Sequence, residues 1–510
     1  MIYFLNEYLM GLNSGLEYTE INRIKLLKNN HVPAKIVTRD YNQELHRNMK
    51  TLGVEDDDMV NMFDYFQHAE HIETPKVVLK TIDLNLPKAY EIDQGADFSR
   101  VTDGDRVVAD VHFADGTYGQ VAYVNYFDAY MNIAKTEFYD WRGFKSMDKY
   151  FTPTGAPVAE FIFTPEGKRV YESYYMNDVN GNPVNSLLKL IDYKGEDYNF
   201  DNLDELFTFF LDELNRRDGS HQTFIADRPA QTNTPMMNMV TLAHKYVSLP
   251  IVHGVDPHDQ VHSAFDPAYA TVFGPRIDEL DGIIVMTQAQ KRDLSKHLNH
   301  PQTPIYVIPG AVVLNSTRNE PHVLYRNRVQ DRLLFVGRLT PDKQVDRLIR
   351  AVQIISQKIP SVTLDIYGYG SAEDVNGLKK LAQDLKVDQL VHFKGFVYDL
   401  TTVYNQAGLF VSASRSDAMP LAMVEAMAHG LPAVAYASHY GPSEIIDDKQ
   451  NGRLIAEGDE DVFLFSRAVI DLLSDPDLLA KYSDKAYEIG DRYSEEHVLA
   501  DWQLLLEHEK

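Results

Sequence analysis

The 510-residue chain contains no cysteine. That excludes disulfides, a thiolate nucleophile, and thiolate-bound zinc or iron–sulfur centres. It also removes any need for an oxidising compartment. No apolar run reaches the about 18 residues that a membrane-spanning helix needs. The opening MIYFLNEYLMGL lacks a basic region and carries Glu7, so no secretory signal is expected and the expectation is a cytoplasmic protein. Positive charge is scarce: 49 Lys and Arg stand against 75 Asp and Glu, a formal net charge of −26. Short of a local basic patch, this excludes a nucleic-acid partner. HExxH, P-loop and G-x-S-x-G motifs are absent as well.

What remains is an ordinary globular composition, 44% hydrophobic and 24% charged, with length for two or three domains of roughly 150 residues. MIYFL reads as a strand and MGLNSG as a turn. Tyr18, Ile21, Ile24 and Leu27 then recur at helical spacing, and residues 34–38 form a second strand. This order fits a parallel α/β sheet. Between residues 75 and 198 the pattern changes to short aromatic and β-branched runs. They are broken by Asp103-Gly104-Asp105, Ala114-Asp115-Gly116, Pro153-Thr154-Gly155, Pro165-Glu166-Gly167 and Asn180-Gly181-Asn182-Pro183. Such punctuation predicts an antiparallel β-meander inserted into the first α/β domain.

The α/β rhythm returns with strands expected at 223–227, 249–253, 282–287 and 304–308. A polar stretch, 315–328, reads as a linker. A second series follows, with strands at 333–337, 363–368, 391–395, 409–414 and 433–436, and successive helices from about 459. The expected layout is a discontinuous first domain (1–74 and 199–315), the meander (75–198), a second α/β domain (316–495) and a C-terminal helix (496–510) returning to the first. Two such domains place a ligand in the cleft they share.

Gly337-Arg338-Leu339-Thr340-Pro341-Asp342-Lys343 follows an apolar strand and precedes a helix. A diphosphate there would meet two cations and a helix N-terminus; a surface loop with two solvated cations has the same spacing. Asp417 falls in the loop after a later strand, and Glu425 in the apolar helix that follows. A carboxylate so placed needs a partner. The vicinal hydroxyls of a ribose would serve, and so would a nearby basic side chain. In Asn13-Ser14-Gly15 the glycine permits close backbone approach and the helix start favours an anion, or the segment is simply a tight turn. His253, at the end of an apolar strand, could donate to a substrate hydroxyl or be structural. Asp103-Gly104-Asp105 matches a metal–nucleotide D-x-D pattern, but a hairpin turn accounts for it. The acidic run 55–58 reads as a solvated face.

The order of these segments, with I-Y-G-Y-G-S, A-H-G-L-P-A-V-A-Y and Y-G-P-S-E-I-I, resembles glycosyltransferase family 4. These are retaining, metal-independent enzymes of the GT-B fold, an α/β architecture of two Rossmann-like domains facing a cleft. NSGLEYTEINRIKLL, VNMFDYFQ, GIIVMTQAQKRDL and HYGPSEII extend the likeness over nearly the whole chain. It is similar to the catalytic subunits of accessory-Sec O-glycosyltransferases, which act on serine-rich repeat adhesins, and to the related wall-teichoic-acid α-glycosyltransferases.

The resemblance implies that Arg338 and Lys343, beside Gly337, bind the donor diphosphate and stabilise departing UDP. It implies that Glu425 holds the ribose, that the backbone near Gly395 and Phe396 reads uracil, and that Ser14 and Gly15 line the phosphate side. Asp417 and the amides of Ala418 and Met419, ahead of Pro420, would grip the donor sugar, and His253 its 6-hydroxyl. It further implies UDP-GlcNAc or UDP-glucose as donor, no metal or other cofactor, and a serine-rich acceptor protein. A homo-oligomer or a related companion subunit, and at most peripheral attachment at the inner face of the membrane, complete the expectation. The chain departs from the family's E-x7-E pattern: the first acid is Asp417, one methylene shorter, and Ala418 replaces glycine. That departure also suits a non-catalytic binding or chaperone subunit, whereas the retention of Arg338, Lys343 and Glu425 favours an active enzyme. The charge of −26 would repel an anionic teichoic acid and favours a protein acceptor.

Overall fold

The computed structural model describes residues 1–72, 78–458 and 461–507. The expected 74/75 boundary, the onset of the C-terminal helices at 459 and the end of the last helical segment at 508–510 lie outside the described residues. The chain packs as two compact units. The first is Met1–Asn13 with Val32–Lys245, and the second is Ser14–His31 with Tyr246–Lys510.

In the first unit, Ile2–Asn6 lies between Ala34–Thr38 and Thr223–Ala226, parallel to both, and Met59–Asn61 extends the set beyond Ala34–Thr38. Ile2–Asn6 and Thr223–Ala226 are buried at every position, as strands covered on both faces require. The meander is a ten-stranded sheet from Glu91–Gln94 to Glu196–Phe200, each strand hydrogen-bonded to the next in chain order. All five turn signals join consecutive strands. Gly155 and Gly167 close matching turns by donating to the carbonyls of Thr152 (2.9 Å) and Thr164 (2.8 Å). Their φ values of 84° and 85° suit glycine. Asp103-Gly104-Asp105 is the hairpin between Phe98–Asp103 and Arg106–Phe113. Alternation along the strands buries Val101, Ala109, Val111, Val121 and Val124 on one face, with Leu79, Leu84, Leu86 and Tyr90 packed against them.

Arg142, at a turn of the meander, ties it to the α/β part of the same unit. Its side chain is 1% exposed and pairs with Asp140 at 2.8 Å and Asp64 at 3.0 Å. It also donates to the Ala69 carbonyl. His46 bridges Asp64 (2.7 Å) and Asp56 (3.0 Å). The acidic run is therefore only in part a solvated face. Asp58 turns inward, 8% exposed, because its carboxylate accepts the Glu55 amide and closes the short 3-10 turn.

The second unit contains the helix Gly15–Asn29 and two parallel sets of strands. Gly282–Val285 pairs with His244–Leu249 and with Ile305–Val307. The strand expected over 249–253 instead ends at Leu249, since Pro250 offers no amide hydrogen to a ladder. His253 therefore sits in a loop. The other set is a sheet of six strands, in the order Val391–Gly395, Thr363–Tyr367, Val329–Val336, Ala407–Ser412, Ala433–Tyr436 and Gly452–Ile455. Numbered along the chain this is 3-2-1-4-5-6, the dinucleotide-binding order, whose switch point lies between its first and fourth strands. The expected linker holds a short helix, Asn315–Arg318, and ends at Arg328. That buried guanidinium donates to the Tyr404 carbonyl at 2.7 Å and to the His429 carbonyl. In the last helix, Glu495–Glu507, Trp502 is buried under the Arg23 guanidinium, 5.1 Å from the ring centre.

Removing Arg142 leaves Asp64 and Asp140 buried without their cation. Arg142→Ala should cost about 3–5 kcal/mol in urea unfolding, followed on the meander-bearing unit by hydrogen exchange. A loss under 1 kcal/mol would show that the meander is held by other contacts.

Candidate active site

The candidate donor-site residues, from Ser14 and Gly15 to Glu425, lie in the second unit. The switch point organises them. Val329–Val336 and Ala407–Ser412 are neighbours, and a Cβ on Gly408 would lie 2.0 Å from the Gln330 carbonyl oxygen, so only glycine lets the strands approach. Gly337 leaves the first strand and donates to the Tyr367 carbonyl at 3.0 Å. A Cβ on Gly368 would stand 1.9 Å from the Gly337 carbonyl oxygen. The I-Y-G-Y-G-S glycine thus permits the loop carrying Arg338 to fold against its neighbour.

Arg338 is exposed and has no ion pair among the described residues. Five residues on, Lys343 closes the 3-10 turn Pro341–Lys343 ahead of the helix Val345–Ser356, whose N-terminus has no side-chain cap. An uncapped N-terminus beside two cations favours negative charge. Between the cations, the Thr340 hydroxyl is buried without a partner among the described residues.

Lys343 Nζ lies 2.7 Å from the Asp417 carboxylate. The Asp417 backbone is fixed independently: its amide donates to the His439 carbonyl and its carbonyl accepts from Tyr440 and Gly441, each at 2.9 Å. A Cβ on Gly441 would come within 2.3 Å of Pro420 Cδ, so that position too must be glycine. Ala418 and Met419 send their side chains into the core, 2% and 8% exposed. Their amides make no hydrogen bond among the described residues. Pro420 precedes the helix Leu421–Ala428, which likewise has no side-chain cap.

Glu425 accepts from the Tyr404 hydroxyl at 2.9 Å. Its side chain is open to solvent, yet desolvation raises its carboxyl above the ordinary range, against the lowering effect of that bond. No cation pairs with Glu425 among the described residues, so the basic-partner alternative is not realised. The Tyr18 hydroxyl is buried without a partner among the described residues. Burial, then the neighbouring oxygens of Tyr398, Tyr369 and Glu425, push it up to about 12. Phe396 meets Tyr369 and Tyr398 edge-on, with ring centres 5.9 and 4.9 Å apart. Gly395 ends its strand at φ 76° and its carbonyl accepts the Gly368 amide.

Ser14 and Gly15 begin the first helix. The Ser14 hydroxyl donates to Glu17 at 2.6 Å and accepts the Leu16 amide at 3.3 Å, a capping box, so it is occupied in building the helix start. Gly15 is exposed, and a Cβ there would lie 3.6 Å from Leu421. His253 is fully buried, with neither ring nitrogen partnered among the described residues. Its ring is parallel to Tyr440, 6.3 Å away, and tilted to His297 at 5.4 Å. Burial, with His297 and His439 nearby, lowers it to about 4, so it is neutral near pH 7.

The structure thus joins Lys343, Asp417, Tyr440 and His253 on one side, and Glu425, Tyr404, Tyr18 and Phe396 on the other. Sequence reading missed Tyr404, Tyr18, Tyr440 and Glu444. Tyr18 stood out only as part of a helical apolar face. Glu444 had one signal, an acid within Y-G-P-S-E-I-I; it accepts the amides of Gln288 (3.0 Å) and Ala289 (2.5 Å) and caps the helix Gln288–His297. Among the described residues no group of three or more His, Asp or Glu could hold a metal ion. Among them, too, no helix is long and apolar enough to cross a membrane.

The chain is similar to several known proteins. The family of glycosyl transferases group 1 matches residues 318–489, and the family of accessory Sec system protein 1 matches residues 8–269, half of the chain. The poly(ribitol-phosphate) alpha-N-acetylglucosaminyltransferase of Staphylococcus aureus is 26% identical, over 96% of each chain. The UDP-N-acetylglucosamine–peptide N-acetylglucosaminyltransferase GtfA subunit of Streptococcus agalactiae is 23% identical, over 99% of this chain and 98% of its own. The crystal structure of the pneumococcal O-GlcNAc transferase GtfA, in complex with UDP and GlcNAc, superposes with a TM-score of 0.84 at 20% identity, covering 100% of this chain and 98% of that one.

His253 sets an acid dependence. Its value falls from 6.5 to about 4 on folding, so between those limits the unfolded chain binds more protons and stability rises with pH. The 6.5 − 4 difference is worth roughly 3 kcal/mol, lost as pH drops through the window. His253→Gln should flatten the fall in Tm between pH 6.5 and 4, and a melting curve that shifts in parallel with the parent would refute the buried neutral imidazole.

Proposed function

We propose, from the premise that the chain belongs to the family of accessory Sec system protein 1 and carries a glycosyl transferases group 1 domain in a GT-B fold, that it transfers GlcNAc or glucose from a UDP-sugar to Ser or Thr of a serine-rich protein. The observation that carries the reading is the unpaired Arg338 beside Lys343 and an uncapped helix N-terminus, with the solvent-open, cation-free Glu425. The two cations take the diphosphate, Glu425 takes the ribose hydroxyls, and Phe396 and the Gly395 backbone flank the base. Asp417 and the free amides of Ala418 and Met419 face the donor sugar. His253, neutral and fully enclosed, lies behind the ring of Tyr440 and supports the sugar side rather than touching a hydroxyl.

No protein nucleophile is required. The bond from the sugar's anomeric carbon to the UDP oxygen breaks, and the acceptor oxygen bonds that carbon on the same face. The acceptor's proton passes to the departing phosphate. Arg338 and Lys343 stabilise the charge that develops there, which makes a metal ion dispensable. The reaction runs in the cytoplasm. The meander offers a surface for a companion subunit, a reading supported by the word subunit in the streptococcal relative's name. The full-length similarity to the Staphylococcus aureus enzyme favours a second acceptor, poly(ribitol phosphate), while the net charge of −26 opposes it.

The test is transfer of labelled sugar from UDP-GlcNAc and UDP-glucose to a serine-rich peptide and to poly(ribitol phosphate), each with and without a companion. Labelling of the peptide is expected; labelling of the polymer alone would select the second reading, and labelling of neither would favour a non-catalytic subunit. Lys343→Ala and Glu425→Ala should each lower transfer on the order of 10²–10³-fold, and unchanged rates would sink the site assignment. Activity should survive EDTA.

A further inference from the structure

Asp417 is placed to act on Lys343 rather than only on the sugar. The carboxylate lies 2.7 Å from Nζ, and both side chains are more than four-fifths covered, at 19% and 17% exposure. The contact is not an accident of two long side chains meeting in solvent. The Asp417 backbone is held by three hydrogen bonds to residues 439–441, and the Arg415 amide donates to the Asp342 carbonyl at 2.9 Å, tying the two loops together. Asp342 adds a second, looser carboxylate 3.8 Å from the same Nζ. The cation assigned to the donor phosphate is therefore already neutralised by carboxylates of the protein, while Arg338 has no ion pair among the described residues.

We infer that Asp417 is a positioning residue: its carboxylate fixes Lys343 where the departing phosphate will lie, and its charge weakens the hold of the site on free UDP. An anion beside Lys343 opposes a second anion arriving at the same cation, and the opposition is greatest for free UDP, whose terminal phosphate carries one more negative charge than the donor's once the proton it accepted is lost to solvent. Asp417 thus favours release of product, and its short side chain keeps the pair compact. The inference rests on the donor-site reading above.

The experiment is calorimetric titration of UDP into the full-length wild-type protein and into Asp417→Asn, Asp417→Glu, Lys343→Ala and the Asp417→Asn/Lys343→Ala double variant. Asparagine keeps the size and removes the charge. Asp417→Asn is expected to bind UDP about three- to thirtyfold tighter, with a gain that shrinks as salt is raised, and to show a lower kcat with stronger UDP inhibition. Asp417→Glu, which restores the charge, should bind UDP within about twofold of wild type. In the Lys343→Ala background the asparagine gain should largely disappear. Unchanged or weaker UDP binding by Asp417→Asn, with wild type binding normally, overturns the inference and leaves the donor site standing. Failure of wild type to bind UDP at all overturns the donor site itself.

Discussion

Two parallel strands, Val329–Val336 and Ala407–Ser412, lie side by side while the chain continues from them to opposite edges of the sheet. The rest of the site depends on the gap this leaves at their carboxyl ends. One strand delivers Arg338 and Lys343, and the other delivers Asp417 and the helix bearing Glu425. The separation is set by main chain, since neither Gly408 nor Gly368 could carry a Cβ without meeting a carbonyl oxygen. Side chains then add charge to a geometry already decided by backbone.

Charge in that gap is arranged unevenly. One cation is open, the other is matched by a carboxylate, and the proposed nucleotide side carries an acid with only a tyrosine hydroxyl for company among the described residues. A site that wanted only affinity for an anion would not place two carboxylates beside its lysine. The arrangement suits a ligand that must arrive, become more negative, and leave.

The fold was legible where physics leaves a local mark. Strands covered on both faces show as continuous apolar runs, such as residues 333–336 and 409–412, and the meander's turns carry their own Gly, Asp and Pro. The 249–253 strand failed because an apolar run does not reveal that Pro250 ends the ladder. The candidate residues were legible as types at switch-point loops, but their pairings were not. Lys343 and Asp417 are 74 positions apart, and nothing local announces that one neutralises the other. Tyr404 and Tyr18 look in the sequence like ordinary aromatic packing; only the tertiary fold turns their hydroxyls toward Glu425. Asp58 misled for the complementary reason, since a run of acids reads as surface although one of them caps its own turn.

The first strand has to wait. Ile2 is made before the whole meander, yet its partner on one side, Thr223, follows some 220 residues later. Every strand of the meander between them pairs with its immediate successor. Local pairings form quickly and distant ones slowly. On the ribosome the inserted sheet can therefore close hairpin by hairpin while the buried strand that precedes it stays half-paired. Its exposed apolar edge is then a hazard for as long as synthesis of the insert lasts. The order of segments along such a chain, an interrupted core followed by a self-sufficient insert, makes handling of the half-paired strand a cost of the architecture.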